Sequence, residues 1–311
     1  MGWRSVVIRN KSRLSVSSDQ LVIQRESPEE VTIPLEDISV LLIDTYEVTL
    51  SVSVLSRLAA YGGIVVGCGD NHIPSVISIP TIAHSRQTAI QRIQIEATKP
   101  FLKRCWQKIV KQKILNQAEV LGLCGLENKK EELISLIPSI TSGDSMNVES
   151  NAARIYFRAL FGGDFIRGSQ GEGIGKTNSL LNYGYAVLRS TVAQAIVCHG
   201  LLPAFGMHHK SELNPFNLAD DIIEPFRPIV DLYAANFKAE DNEPIYELTP
   251  DDKAGLIALL HNDVKIDGKK YACMYAIDLC VAGYQKAVLG GEASILTGLP
   301  TIIPLKKHRY E

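Results

Sequence analysis

Residues 86–122 read RQTAIQRIQIEATKPFLKRCWQKIVKQKILNQAEVLG. Apolar side chains recur there every three or four positions, the period of an amphipathic helix. The chain before this point follows another rule. Between residues 3 and 80 it passes through WRSVVIR, LSV, QLVIQR, EVTIP, ISVLLID, EVTLSV, GIVVGC and SVISI, short stretches rich in Val, Ile and Thr with polar breaks between them. That is strand composition. One helix interrupts the strands, SVLSRLAAYGG, stopping at Gly62-Gly63. The change of period near Ser85 divides the chain into a small β-rich domain over 1–80, a linker over 81–90 and a larger all-helical domain over 91–311, an α+β fold.

Within the helical half, Pro100 predicts a kink or break. A short helix is expected at 128–137, and another with Asp144 or Ser145 as its N-cap. NSLLNYGYAVLRSTVAQAIVCHG is closed by Gly200, and DDKAGLIALLHN and MYAIDLCVAGYQKAVLGG supply two more helices. The end, LKKHRYE, reads as a short basic tail.

Composition narrows the class. Of 311 residues, 46% are hydrophobic and 21% charged, the balance of a globular protein in water. No run approaches the roughly 18 apolar residues of a membrane helix, and MGWRSVVIRN has no apolar secretory core. The six cysteines form no CxxC, which argues against a zinc or disulfide framework and for a reducing cytoplasm. The net charge of −2 conceals segregation: residues 81–113 balance to +7, and residues 220–263 to −8. A polyanion partner for the basic stretch is one reading, and a solvated helix face the other.

The candidate site lies in MHHKSELNPFNLADDIIEPFRPIVD, residues 207–231. With Asn217 as N-cap, Asp221 and Glu224 share a helix face at i, i+3, and Asp220 and Glu224 stand at i, i+4. Pro225 and Pro228 displace the carbonyls of Asp221 and Glu224, so the helix is distorted where its acids sit. Glu149 precedes Ala153, Tyr156 and Leu160 at helical spacing and falls on an apolar stripe, where a lone carboxylate needs a partner or a metal. Carboxylates with an imidazole from His208 or His209 make an oxygen-rich open site suited to Mg²⁺ or Mn²⁺. Without an ion the acids would repel, so deleting one is expected to hold or raise stability. GEGIGKT, 171–177, imitates a phosphate loop, but the Walker spacing needs Gly where Gln170 stands. A mobile loop touching phosphate through Lys176 is the better reading.

GMHHKSELNPFNLADDIIEPFRPIVD, NVESNAARIYFRALFG and NSLLNYGYAVLRS together resemble the CRISPR-associated adaptation integrases, and MGWRSVVI resembles the form found with type II systems. The resemblance spans nearly the whole chain. It implies that Glu149, His209 and Glu224 bind a divalent metal and are catalytic, with Asp221 as a supporting or alternative ligand. It implies that a 3′-hydroxyl of a short captured DNA attacks a phosphodiester at the edge of a CRISPR repeat, a transesterification. Implied partners are double-stranded DNA, a second copy of the chain, a small adaptation protein bridging two integrase dimers, and other type II CRISPR proteins. Lys103, Arg104, Lys108 and Lys176 are then candidates for DNA backbone contact. Two other functions use the same residues: a stand-alone metal-dependent endonuclease on branched or single-stranded DNA, and a non-catalytic architectural DNA-binding protein.

Overall fold

The computed structural model describes residues 4–25, 30–69, 74–78, 84–168, 175–237 and 248–309. Trp3, Pro80, the start of the expected linker at 81–83, most of the loop around GEGIGKT and the acidic residues between 240 and 247 lie outside the described residues.

The chain divides into two compact units, Met1–Gln91 with Ala193–Leu201, and Arg92–Val192 with Leu202–Glu311. In the first, each strand-like stretch forms a strand: β1 (Arg4–Ile8), β2 (Ser12–Ser17), β3 (Gln20–Arg25), β4 (Glu30–Pro34), β5 (Ile38–Ile43), β6 (Val48–Leu50), then helix α1 (Val52–Ala60), β7 (Ile64–Cys68) and β8 (Pro74–Ser78). They build two four-stranded sheets, β1-β5-β7-β8 and β4-β3-β2-β6. The β2–β3 hairpin turns on Ser18 and Asp19, both at positive φ, as a two-residue hairpin requires. Leu14, Leu21, Leu35, Ile38, Leu41, Val54 and Leu58 fill the space between these elements. Each such burial is worth about 1.5–3 kcal/mol. Residues 193–201 belong here for a visible reason: the Gln194 amide donates to the carbonyls of Ser39 and Gly62.

The second unit is mainly helical: α2 (Gln87–Ile95), α3 (Lys99–Leu123), α4 (Glu127–Leu136), α5 (Val148–Phe161), α6 (Lys176–Cys198), α7 (Asn217–Ile223), α8 (Arg227–Asn236), α9 (Pro250–Ala258) and α10 (Cys273–Gly290), with α2 and α6 running partly into the first. Among the described residues no helix is long and apolar enough to cross a membrane. Pro100 breaks the long periodic run. It sits in the first turn of α3, where its missing N–H costs nothing, behind the N-cap Thr98. α3 is the axis of the unit, packed by α4, α5, α8 and a C-terminal strand. Phe101, Trp106, Ile109, Ile114, Ala118 and Leu121 are all buried along it.

The helical half also holds a small antiparallel sheet, β10-β9-β11, from β9 (Asn262–Ile266), β10 (Lys269–Ala272) and β11 (Thr301–Lys307). The β9–β10 hairpin turns on Asp267-Gly268, both at positive φ. The first part of the expected basic tail is thus strand: Leu305–Lys307 close β11, at the sheet edge where Pro304 is tolerated.

Candidate metal centre

Three elements of the second unit bring the expected acids together. α5 begins where the Asp144 carboxylate accepts from the backbone N–H groups of Val148 (3.0 Å) and Glu149 (2.9 Å). The N-cap is Asn147, not the expected Asp144 or Ser145, and Asp144 reaches the first-turn N–H groups from three residues before it. The buried stripe of α5 is Val148, Ala152 and Tyr156, with Glu149 at its edge and Arg154 and Arg158 outside. The second acid, Glu224, sits in the break between α7 and α8, just before Pro225. Asn217 is not the N-cap of α7. It is the first helical residue, and its buried amide ties the preceding loop, donating to Ala204 and Ser211 carbonyls and accepting from Ser211 N–H.

Lys113, from the middle of α3, joins the acids. Its Nζ lies 2.6 Å from Glu149 Oε1 and 2.5 Å from Glu224 Oε2. Arg227 Nε approaches Glu224 Oε1 at 3.1 Å, and its guanidinium lies over the Tyr185 ring at 4.7 Å. Burial alone would lower the Lys113 pKa, but the glutamates raise it. Burial would raise Glu224, but Arg227 and Lys113 outweigh it and hold the carboxyl below its usual value. The Lys113 ammonium meets the buried Glu224 Oε2 both as an opposite charge and as a hydrogen-bond donor. Among the described residues no three His, Cys, Asp or Glu side chains converge as a cage; the Lys113 ammonium stands between the two glutamates.

The histidines separate into two roles. The buried Asp221 carboxylate accepts from the backbone N–H groups of Met207, His208 and His209, and from His209 Nδ1 at 2.7 Å. A carboxylate only accepts, so Nδ1 carries the proton and Nε2 keeps the lone pair a metal needs. The bond to Asp221 raises the His209 pKa against the opposing effect of burial. Asp221 therefore stands behind His209 and orients it. Gly206 makes this possible: a Cβ there would come within 2.7 Å of Asp221 Oδ2. His208 turns the other way and stacks on the buried Trp106 ring, 4.4 Å between centroids. His209 is partly exposed and lines a cavity of about 850 Å³ with Phe205, Lys210 and Asn214.

Behind the glutamates, buried Asp231 accepts from Tyr156 at 3.0 Å and from Tyr185. Burial pushes its pKa up to about 6, with the two tyrosine hydrogen bonds opposing. Asn116 of α3 ties the helix break to the C-terminal segment. Its Nδ2 donates to the carbonyls of Pro225 (2.6 Å) and Pro300 (2.9 Å), and its Oδ1 accepts from Gln112 Nε2 (3.1 Å) and Ile302 N–H (3.4 Å).

Of the basic candidates, Lys103 and Arg104 are exposed on α3. Lys108 is drawn into the fold and donates to the carbonyls of Ser294 (2.9 Å) and Leu296 (3.1 Å). Lys176 pairs with Asp252 at 3.2 Å and lies over Phe237. Lys113, Arg227, Trp106 and Asp231 are additions to the set expected from sequence. A signal for Lys113 exists there: it follows Ile109 and Val110 at i+4 and i+3, a lone cation on an apolar stripe.

The family model described as CRISPR associated protein Cas1 matches residues 5–242. The chain is 41% identical, over 311 residues and the full length of both proteins, to the CRISPR-associated endonuclease Cas1 of Neisseria meningitidis serogroup C (strain 8013). Its fold matches a casposase bound to integration product with a TM-score of 0.75 at 20% identity, over 93% of this chain and 91% of that one. It also matches a chain of a Cas6-RT-Cas1–Cas2 complex with a TM-score of 0.73 at 18% identity, over 96% of this chain and 36% of that one. The chain belongs to the Cas1 family of CRISPR-associated proteins.

Proposed function

We propose that this Cas1-family protein is a metal-dependent DNA integrase, joining the 3′-hydroxyl of a short captured DNA to the edge of a CRISPR repeat by transesterification. One observation carries the reading: the carboxylates of Glu149 and Glu224 share a single cation position, with Asp221 fixing the tautomer of His209 in the same unit. Glu149, Glu224 and His209 Nε2 are the groups that would hold Mg²⁺ or Mn²⁺. When bound, such an ion supplies Lewis-acid polarisation of the scissile phosphate and offsets charge developing on its oxygens.

The chain's own residues do the positioning. Asp221 keeps the proton on His209 Nδ1, so the imidazole presents Nε2 without rotating. Arg227 and the Asn116 hydrogen bond to the Pro225 carbonyl fix the helix break, and so the direction of Glu224. The cavity beside His209 gives a DNA end a way in. One phosphodiester is exchanged for another, so no nucleotide is hydrolysed, in keeping with the failed Walker spacing at Gln170. The chain acts as a homodimer with a small partner protein; a relative of the same fold is found in a complex that includes Cas2, which supports such a partner.

The test is a joining assay. Protein, with and without the partner, is incubated with Mn²⁺, a DNA fragment bearing a free 3′-OH and a repeat-containing plasmid. Joined products are expected, and Glu149→Gln, His209→Ala and Glu224→Gln should each abolish them. A second reading, a stand-alone endonuclease using water as nucleophile, is favoured by the name of the Neisseria relative. Metal-dependent cutting with no joined product under any condition would select it.

A further inference from the structure

Four buried or half-buried charges meet at the glutamate pair: Lys113 and Arg227, against Glu149 and Glu224. Their sum is zero. The cluster is electrically complete, because the Lys113 ammonium already occupies the position between the two carboxylates that a divalent ion would need. An entering dication would face an ammonium a few ångströms away and leave an excess of two positive charges in a poorly hydrated place, which is costly. Arg227 cannot relieve this, since a guanidinium does not lose its proton in proteins. Lys113 can, because its charge rides on a four-carbon stem able to swing aside. Two phosphodiester groups, with one negative charge each, restore the balance.

We propose that Lys113 is the resident counter-cation of this site and makes metal loading conditional on DNA: its ammonium clasps Glu149 and Glu224 in the metal-free protein and is displaced by a divalent ion when phosphodiester groups are present to balance the charge. The inference rests on the metal-site reading above. It gives the protein a device against idle chemistry, since the cation that the reaction needs is held tightly only where substrate is already bound. Lys113 is here a positioning residue, acting on the reaction through the ligands it holds.

The test is calorimetric titration of Mn²⁺ into the full chain, with and without a short blunt DNA duplex, the signal of duplex alone being subtracted. Parent protein is expected to bind Mn²⁺ weakly by itself and more tightly with duplex. Lys113→Gln should bind Mn²⁺ without DNA more tightly than parent by about tenfold or more, the effect of removing a unit charge beside the ion. Lys113→Arg, which keeps the charge, should resemble parent. A second measurement needs no variant. In parent protein, acetylation of Lys113 followed by mass spectrometry should be slow, and should speed up several-fold when Mn²⁺ is added without DNA at saturating concentration. Equal Mn²⁺ affinity of parent and Lys113→Gln overturns the proposal, as does Lys113 acetylation indifferent to Mn²⁺ that binds. If Mn²⁺ binds no form of the protein, with or without duplex, the metal-site reading itself fails and the inference falls with it.

Discussion

His208 and His209 both give their backbone N–H to Asp221, but only His209 also gives it a ring nitrogen. Sequence spacing cannot separate the two, because the distinction lies in which ring meets Trp106 face-on. His208→Ala is expected to keep joining activity and to cost about 0.5–1.5 kcal/mol of stacking, read as a small drop in Tm. The glutamates correct another expectation. Repulsion between unpaired acids would make their removal stabilising, but Lys113 and Arg227 already pair them. Glu224→Ala should therefore destabilise the metal-free protein by about 3–5 kcal/mol, by stranding buried positive charge. Denaturant unfolding checks this, and a variant as stable as parent would restore the repulsion picture. Asp231 sets a pH dependence. Its folded pKa of about 6 lies above the unfolded carboxylate value of about 4, so the folded state takes up its proton first. Its destabilising charge is present above about 6 and is removed as pH falls toward about 4. Relative to Asp231→Asn, parent protein should gain Tm as pH is lowered through that window, and a constant difference would contradict it.

Between elements, close approach matters more than periodicity. Gly184 of α6 faces α8 so tightly that a Cβ would collide with Val230 Cγ1 and come 3.1 Å from Leu256. Gly184→Ala is expected to destabilise by about 1–3 kcal/mol through overpacking, despite its better helix propensity. Calorimetric melting decides, and a raised Tm would mean the helices have room to separate. The strands of the first half, the stop of α1 near Gly62 and the break at Pro225 are legible because each rests on local composition. The β9–β10 hairpin escapes a reading by periodicity although Asp267-Gly268 announces it, since the flanking strands are too short to show alternation. β11 carries Pro304 and pairs with β9, from Thr301 with Lys265 to Lys307 with Asn262, a separation that no local pattern records. Glu149 and Glu224 are visible as acids on a helix face. Lys113 shows only by the face it occupies, one turn after Ile109 and Val110, and composition hides it by counting it with a basic stretch.

On the scale of the molecule, we propose that nucleic-acid binding falls to the exposed part of the basic stretch. Lys103 and Arg104 stand in solvent on α3, whereas Lys108 holds two carbonyls and Lys113 holds the site. Replacing Lys103 and Arg104 together by Ala should weaken DNA binding alike for all sequences and flatten log K against log[salt] by about 0.9 for each phosphate no longer neutralised. An unchanged slope would leave these residues a solvated face. Lys108→Ala should act instead on Tm. The Asn116 staple carries a different kind of consequence, one of time. A ribosome makes Lys113, Glu149, His209 and Glu224 long before it makes Pro300 and Ile302, yet two of the four hydrogen bonds on the Asn116 amide wait for those residues. A nascent chain can hold every residue of the site while the brace behind Pro225 is half made. A site built this way comes into register only as β11 leaves the exit tunnel, so an unfinished chain carries the site residues without the frame that aims them.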